Sequence, residues 1–321
     1  MDIAAKVGRR MKALFLAFAL GALLLVALPV RAGIYYVTVA GLGGEPDFEQ
    51  QFTQIATDLN KLLKSTGPDA HVYTLTDASR AALVQVLTHV ASEATPDDDF
   101  VLILIGHGTF DGFQYKFNLV GPDITAGDLA KLCDQISSKR QLVINTTEAS
   151  GGSVTALQRR GRGVIAATKS GTEKNATVFA RYFDQALHDP QADLDKNNAI
   201  FALEAFDYAQ HHTAEFYDSQ KRLATEHAVF EDTGEHDPAR APSTDTGEGL
   251  FLSNFTLIRL GAAQKAYNDP AKRALLAQKE ELERKIDTLK YRKAAMSQDE
   301  YKEQLTQALI DLAKVQEQLD K

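Results

Sequence analysis

An apolar run, Val101-Leu102-Ile103-Leu104-Ile105, ends in Gly106-His107-Gly108, and a second, Leu142-Val143-Ile144-Asn145, leads into Thr146-Thr147-Glu148-Ala149-Ser150-Gly151-Gly152. An imidazole between two glycines leaves room for a substrate beside both the ring and the Gly108 N–H, which suits acid–base work next to an oxyanion donor. The second segment offers a carboxylate at Glu148 and hydroxyls at Thr147 and Ser150, but no thiol. A strand-to-helix turn points Thr147 away from its neighbour Glu148, so Ser150 is the alternative nucleophile that His107 can serve. The one thiol, Cys133, lies in Leu129-Ala130-Lys131-Leu132-Cys133, away from both segments, and reads as a buried structural residue.

A different chemistry is written between residues 193 and 204. Asp193, Asp195 and Asn197 stand at loop positions 1, 3 and 5, Ala199 supplies a carbonyl at 7, and Glu204 stands at 12, the spacing of a calcium loop. Asn198 occupies the sixth position, where Gly is usual, and Asn is the next best residue for a left-handed backbone. The competing reading is an acidic helix-capping loop. His211 and Glu215 share one helical face with His212 beside them, but zinc needs a third ligand and none is indicated. Gly41-Leu42-Gly43-Gly44 fails as a dinucleotide fingerprint because Pro46 takes the third glycine position, so it reads as a plain turn with Asp47 capping the next helix. No Gly-x-Ser-x-Gly elbow is present, which disfavours a serine hydrolase of the common type.

The elements that must position these groups alternate. Apolar, β-branched runs at 34–40, 71–75, 100–105, 141–145 and 163–168 are separated by amphipathic stretches at 48–64, 78–94, 126–136 and 153–158. That alternation predicts an α/β fold with a mostly parallel central sheet flanked by helices in three layers. In such a sheet, reactive residues collect beyond the carboxyl ends of the strands, where both candidate segments fall. A small hairpin is expected at 113–119, helices at 176–188 and 201–222, a loop at 231–249 and a returning strand at 250–260. After Asp269-Pro270, Tyr301, Leu305, Ala308, Leu312, Val315 and Leu319 follow a 4-3-4-3-4 spacing. They make one apolar seam, and Leu275, Leu282, Ile286 and Leu289 supply its partner, so an antiparallel helical hairpin is expected from about 271 to the C-terminus. The domain division is 1–32, 33–262 and 263–321.

The two strand-end segments together resemble caspase-like and legumain-like cysteine peptidases. Those proteins carry an apolar strand ending in His-Gly, then a second apolar strand ending in Cys, with Cys-x-Ser-Gly in the legumain branch. His107 matches the first motif and Ser150-Gly151 the Ser-Gly of the second, over a resemblance spanning about 34–187 and more loosely to 230. The resemblance implies a caspase-like three-layer domain, His107 as base, Gly108 as oxyanion donor and a structural role for Ser150. It also makes Glu148 the replacement of the nucleophile. A carboxylate attacking an amide would give an anhydride from a poor nucleophile, whereas a thiolate is potent near neutral pH. The expectation is a His107–Glu148 ion pair filling the cleft of a pseudopeptidase that serves as a binding or scaffold module. The alternative is an active hydrolase using His107 with Ser150.

Composition bounds the partners. Arg9, Arg10 and Lys12 precede an apolar run from Ala13 to Val30, and Val30-Arg31-Ala32 places small residues before Gly33, so residues 1–32 read as a secretory signal; the competing reading is a retained membrane anchor. The chain is thus expected to be exported, periplasmic or secreted, without a membrane contact once the signal is cut. Removing those residues takes the net charge from −8 to −12, which argues against nucleic acid and anionic membranes. Arg159, Arg160 and Arg162 read as a solvated turn. With one Cys, an exported chain has no internal disulfide and depends on its core. No cofactor is required beyond a weak structural calcium. The expected partner is a protein or peptide at the cleft or the hairpin, with a second copy of the chain as one option.

Overall fold

The computed structural model describes residues 32–321, so the leader expected over 1–32 lies, apart from Ala32, outside the described residues. In chain order the elements are β1 (Ile34–Ala40), α1 (Pro46–Ser65), β2 (Ala70–Leu75), α2 (Arg80–Glu93), β3 (Asp99–Ile105), β4 (Gly108–Phe110), β5 (Tyr115–Phe117), β6 (Ile124–Thr125) and α3 (Ala126–Asp134). Then follow β7 (Arg140–Asn145), α4 (Val154–Leu157), β8 (Arg162–Ala166), α5 (Phe179–His188), β9 (Ala199–Phe201), α6 (Ala202–Ser219) and β10 (Val229–Glu231). The last are α7 (Leu250–Ser253), β11 (Thr256–Arg259), α8 (Gly261–Asn268), α9 (Arg273–Arg292) and α10 (Gln298–Leu319).

The main sheet runs β10-β8-β7-β3-β1-β2, all parallel except β10, which pairs antiparallel with β8 at the edge. Because side chains alternate along a strand, each strand feeds two cores. Tyr36, Val101, Ile103, Leu142, Ile144 and Ile165 face one side, packing with Phe52, Ile55 and Leu59 of α1, Phe179 and Phe183 of α5 and Phe206 of α6. Val37, Val39, Leu102, Leu104, Val143 and Val164 face the other, with Leu83, Leu87 and Val90 of α2, Leu129 and Cys133 of α3 and Leu157 of α4. Burial on both faces explains why the central runs are continuously apolar rather than alternating. This is the three-layer α/β arrangement expected.

Four local expectations are corrected. The 231–249 stretch is not all loop: β10 ends at Glu231, and its three residues are too few for periodicity to mark them. The segment 250–260 is not all strand: a short helix precedes β11, which returns to the domain core and pairs with β9 in a separate two-stranded sheet. The small hairpin joins β4 to β5 and continues to β6, so it begins earlier than the aromatic alternation indicated. Glu45, not Asp47, is the N-cap residue of α1, because Pro46 fixes the first helical position; Asp47 falls in the first turn.

Arg162 departs furthest from expectation. It is 1% exposed, and its guanidinium donates to Gln141 Oε1 (2.9 Å), Leu157 O (2.9 Å) and Asp134 Oδ1 (2.7 Å). Only Arg159 and Arg160 behave as solvated turn residues, with side chains 41% and 82% exposed.

The two terminal helices pack as an antiparallel pair, with Leu276, Leu289, Ala308 and Val315 buried. The turn falls at 293–297, where Ser297 caps α10 by accepting from Glu300 N (3.2 Å). The pair is tied to the rest by a two-point ion pair, Arg259 Nε to Glu280 Oε1 at 2.6 Å and Nη2 to Oε2 at 3.0 Å. Among the described residues no helix is long and apolar enough to cross a membrane.

Candidate active site at the ends of the central strands

β3 and β7 are neighbours, and the chain leaving each delivers His107 and Glu148 to the same place. Nδ1 of His107 lies 2.8 Å from Glu148 Oε1, and the other carboxylate oxygen accepts from Gly108 N at 3.1 Å. On the far side of the ring, Nε2 donates to Gly43 O at 3.1 Å. Edge-on contacts with Phe48 and Phe52 of α1, 4.8 and 5.1 Å between ring centroids, fix the ring plane. A Cβ at position 108 would lie 2.4 Å from Thr147 Oγ1 and 2.5 Å from Glu148 O, so only glycine brings this N–H to the carboxylate.

Since Gly43 O can only accept, Nε2 carries a proton, and a second on Nδ1 makes the imidazolium, with both N–H groups satisfied. The hydrogen bond to Glu148 accordingly raises the His107 pKa, against the partial burial that lowers it. A pKa raised above the unfolded value of about 6.5 gives stability that is complete below that value and is lost as pH rises through the folded pKa. Glu148→Gln removes the charge. The expected result is a His107 titration shifted down, seen by imidazole NMR, with a flatter stability profile above pH 6. An unmoved titration would mean that the pair carries no ionic character.

The possible nucleophiles are buried. Thr147 is fully buried, its hydroxyl bonded to Tyr115 OH (2.6 Å) and Asn145 Oδ1 (2.9 Å). Ser150 is also fully buried: its Oγ accepts from Thr168 N (3.1 Å) and lies 3.2 Å from Thr168 Oγ1, tying this turn to the end of β8. Cys133 packs inside α3, where burial pushes its thiol up to about 11. The turn itself is held open by Ala149, whose φ is 54° and whose N–H donates to Glu173 O at 2.7 Å. Sequence reasoning missed Gly43, Phe48, Phe52, Tyr115 and Glu173. The four-residue spacing of Phe48 and Phe52 next to a glycine turn after β1 was the available signal.

The acidic loop lies elsewhere, between α5 and α6. It brings ligand oxygens of Asp193, Asp195 and Glu204 within 4.8 Å of one another, and Asn198 has φ of 69°. The carboxylates already hold backbone donors: Asn197 N and Asn198 N for Asp193 (both 3.1 Å), and Leu194 N (2.7 Å) and Phe201 N (3.0 Å) for Glu204. Asn197 turns its amide oxygen to Ala199 N (2.9 Å), and Lys279 donates to the Asn197 carbonyl (2.9 Å). Burial pushes Glu204 up to about 7 and raises Asp195 as well. The calcium expectation has a direct test: if it holds, millimolar calcium should raise the melting temperature by a few degrees, and Glu204→Gln should remove that increment. Equal melting in calcium and in chelator would leave the loop as a helix connection. His211 and His212 both pair with Glu215, at 3.3 and 2.8 Å.

No protein-family model matches the chain, and no curated protein does. Among solved structures, it is similar to the Drosophila initiator caspase Dronc, at 12% identity over 65% of this chain and 82% of that one, with a TM-score of 0.45. It is also similar to caspase-1 from Spodoptera frugiperda, at 11% identity over 63% of this chain and 87% of that one, with a TM-score of 0.43.

Proposed function

We propose that the chain is an exported caspase-like or legumain-like pseudopeptidase, a binding or scaffold module that retains a peptidase cleft without peptidase chemistry. One observation carries this reading: the Glu148 carboxylate spans His107 Nδ1 and Gly108 N at 2.8 and 3.1 Å. A single side chain thereby takes the base and the oxyanion donor together. Acyl transfer needs both groups free to meet a substrate carbonyl and its developing charge. The rival reading, catalysis by Ser150, requires a hydroxyl that now accepts from the Thr168 N–H to turn toward the cleft. The partner is a protein or peptide segment that engages the cleft or the terminal helix pair. A second copy of the chain is included.

The test is a peptide-library digest with the purified protein, together with a mechanism-based acylating probe. The expected result is no cleavage and no label between residues 146 and 150. A label on Ser150 would overturn the pseudopeptidase reading in favour of the hydrolase.

A further inference from the structure

At the opposite end of the sheet, the residue just before β1 meets a buried acid. Gly33 N–H donates to Asp98 Oδ1 at 2.6 Å, while Asp98 Oδ2 accepts from Thr95 N and Thr95 Oγ1, both at 2.7 Å. Asp98 is 5% exposed, whereas Ala32, one residue before Gly33, is exposed. The Gly33 carbonyl accepts from Asp99 N at 2.9 Å, so the nitrogen is held in place from both sides of its residue. A Cβ at position 33 would stand 3.2 Å from Asp69 O and 3.3 Å from Asp98 Oδ1, so a larger residue here would press on its neighbours by a few tenths of an ångström. A short bond from a buried carboxylate to a neutral amide uses only part of what that carboxylate can stabilise. An ammonium at the same atom would form a charge-assisted pair.

The sequence supplies the means of making one, since Val30 and Ala32 stand at the third and first positions before a cleavage point, with a small residue directly before the cut, as export peptidases select. We propose that the Ala32–Gly33 bond is a processing site and that the ammonium it frees is captured by Asp98 as an internal ion pair. In the step, water adds its oxygen to the Ala32 carbonyl carbon and the C–N bond breaks. Ala32 leaves as a carboxylate, and the Gly33 nitrogen keeps the bonding electrons and gains protons to become NH3+. The agent is an endopeptidase of the signal-processing class. The pair then clamps the β1–β3 junction, whose β3 strand carries His107 at its far end. This inference rests on the export proposed above but not on the cleft, because it holds whether or not His107 and Glu148 have activity.

Other charged and titratable groups lie around this junction. Asp69 from the turn before β2 has its carboxylate bonded by Tyr267 OH (2.8 Å), and the His71 ring edge lies 3.4 Å from a Cβ built on Gly33. Asp99 on β3 is paired with Arg140 at 3.2 Å, and Glu93 ends α2. The Asp98→Asn variant leaves all of these in place.

The experiment is expression of the full chain in a host with an export pathway, followed by mass determination of the N-terminus and acylation of the α-amine as a function of pH. The expected product begins at Gly33. Its α-amine titrates about one unit above the ordinary 7.7–8.0, and Asp98→Asn returns it to that range. Because the folded pKa is the raised one, the added stability is complete below about pH 7.7 and is lost as pH rises through the folded value. The melting difference between parent and Asp98→Asn should therefore fall over that interval. A product beginning elsewhere overturns the proposal, and so does an α-amine whose titration is the same in parent and variant. Should Asp98→Asn fail to accumulate, titrating the parent's amine folded and in denaturant gives the same comparison, and equal values overturn the ion pair.

Discussion

Glu148→Cys turns an unreactive protein into one that a small thiol reagent labels at a single position under native conditions. In the parent, the one thiol is fully buried and its pKa is pushed up to about 11, so almost no thiolate is present at pH 7 and none is accessible. At position 148 a thiol falls beside His107 Nδ1 and the Gly108 N–H, both of which favour thiolate. Cys is also shorter than Glu, which opens the space the carboxylate fills. Intact-mass measurement after brief alkylation at pH 7 should show no adduct on the parent and near-complete addition on the variant, a rate difference of roughly a hundredfold or more. Equal slow labelling of both would mean that the cleft is closed to solvent and that the His107–Gly108 arrangement cannot activate a nucleophile. Peptide cleavage by the variant is a stricter demand, because it also needs a specificity pocket.

Arg162→Ala should destabilise the fold by about 1–3 kcal/mol for each buried acceptor it leaves unpaired, Gln141 Oε1 and Leu157 O, while the half-exposed Asp134 turns to water. Arg162 on β8 reaches Gln141 on β7, Leu157 at the end of α4 and Asp134 at the end of α3. Gln141 in turn donates to Cys133 O and Ile136 O, so the loss spreads to the whole rim of that layer. Arg160→Ala is the matched control, since Arg160 is 82% exposed and pairs with Glu235 in solvent, where such pairs contribute about 0–1 kcal/mol. Urea unfolding of the two variants checks this. A similar midpoint for both would show that the Arg162 network adds nothing beyond a surface pair.

The Arg159-Arg160-Gly161-Arg162 stretch also illustrates what sequence leaves open. Three arginines around a glycine look alike in one dimension, and their composition suits a solvated turn. Their fates diverge because β8 begins at Arg162, between β7 and β10, which puts that residue alone inside the sheet rim. β10 escaped notice for a related reason. Three residues at an edge carry no period, and their pairing with β8 is fixed by a contact distant in sequence.

The five parallel strands, the helices between them and the terminal hairpin were legible in the chain itself, because local periodicity records which faces are buried. The strand pattern also put His107 and the 146–152 turn at one edge of the sheet, while the choice of Glu148 as the partner of His107 came from the resemblance to caspase-like and legumain-like peptidases. The tertiary structure alone decided how the pair is used. It set the second carboxylate oxygen on the Gly108 N–H, brought Gly43 from the end of β1 to the other ring nitrogen, and turned Ser150 inward onto Thr168 at the end of β8. Each of those contacts joins segments at least 18 residues apart, up to 64 in the case of His107 and Gly43. A hydrogen bond of that kind depends on strand order and register, which no local pattern of residue types encodes.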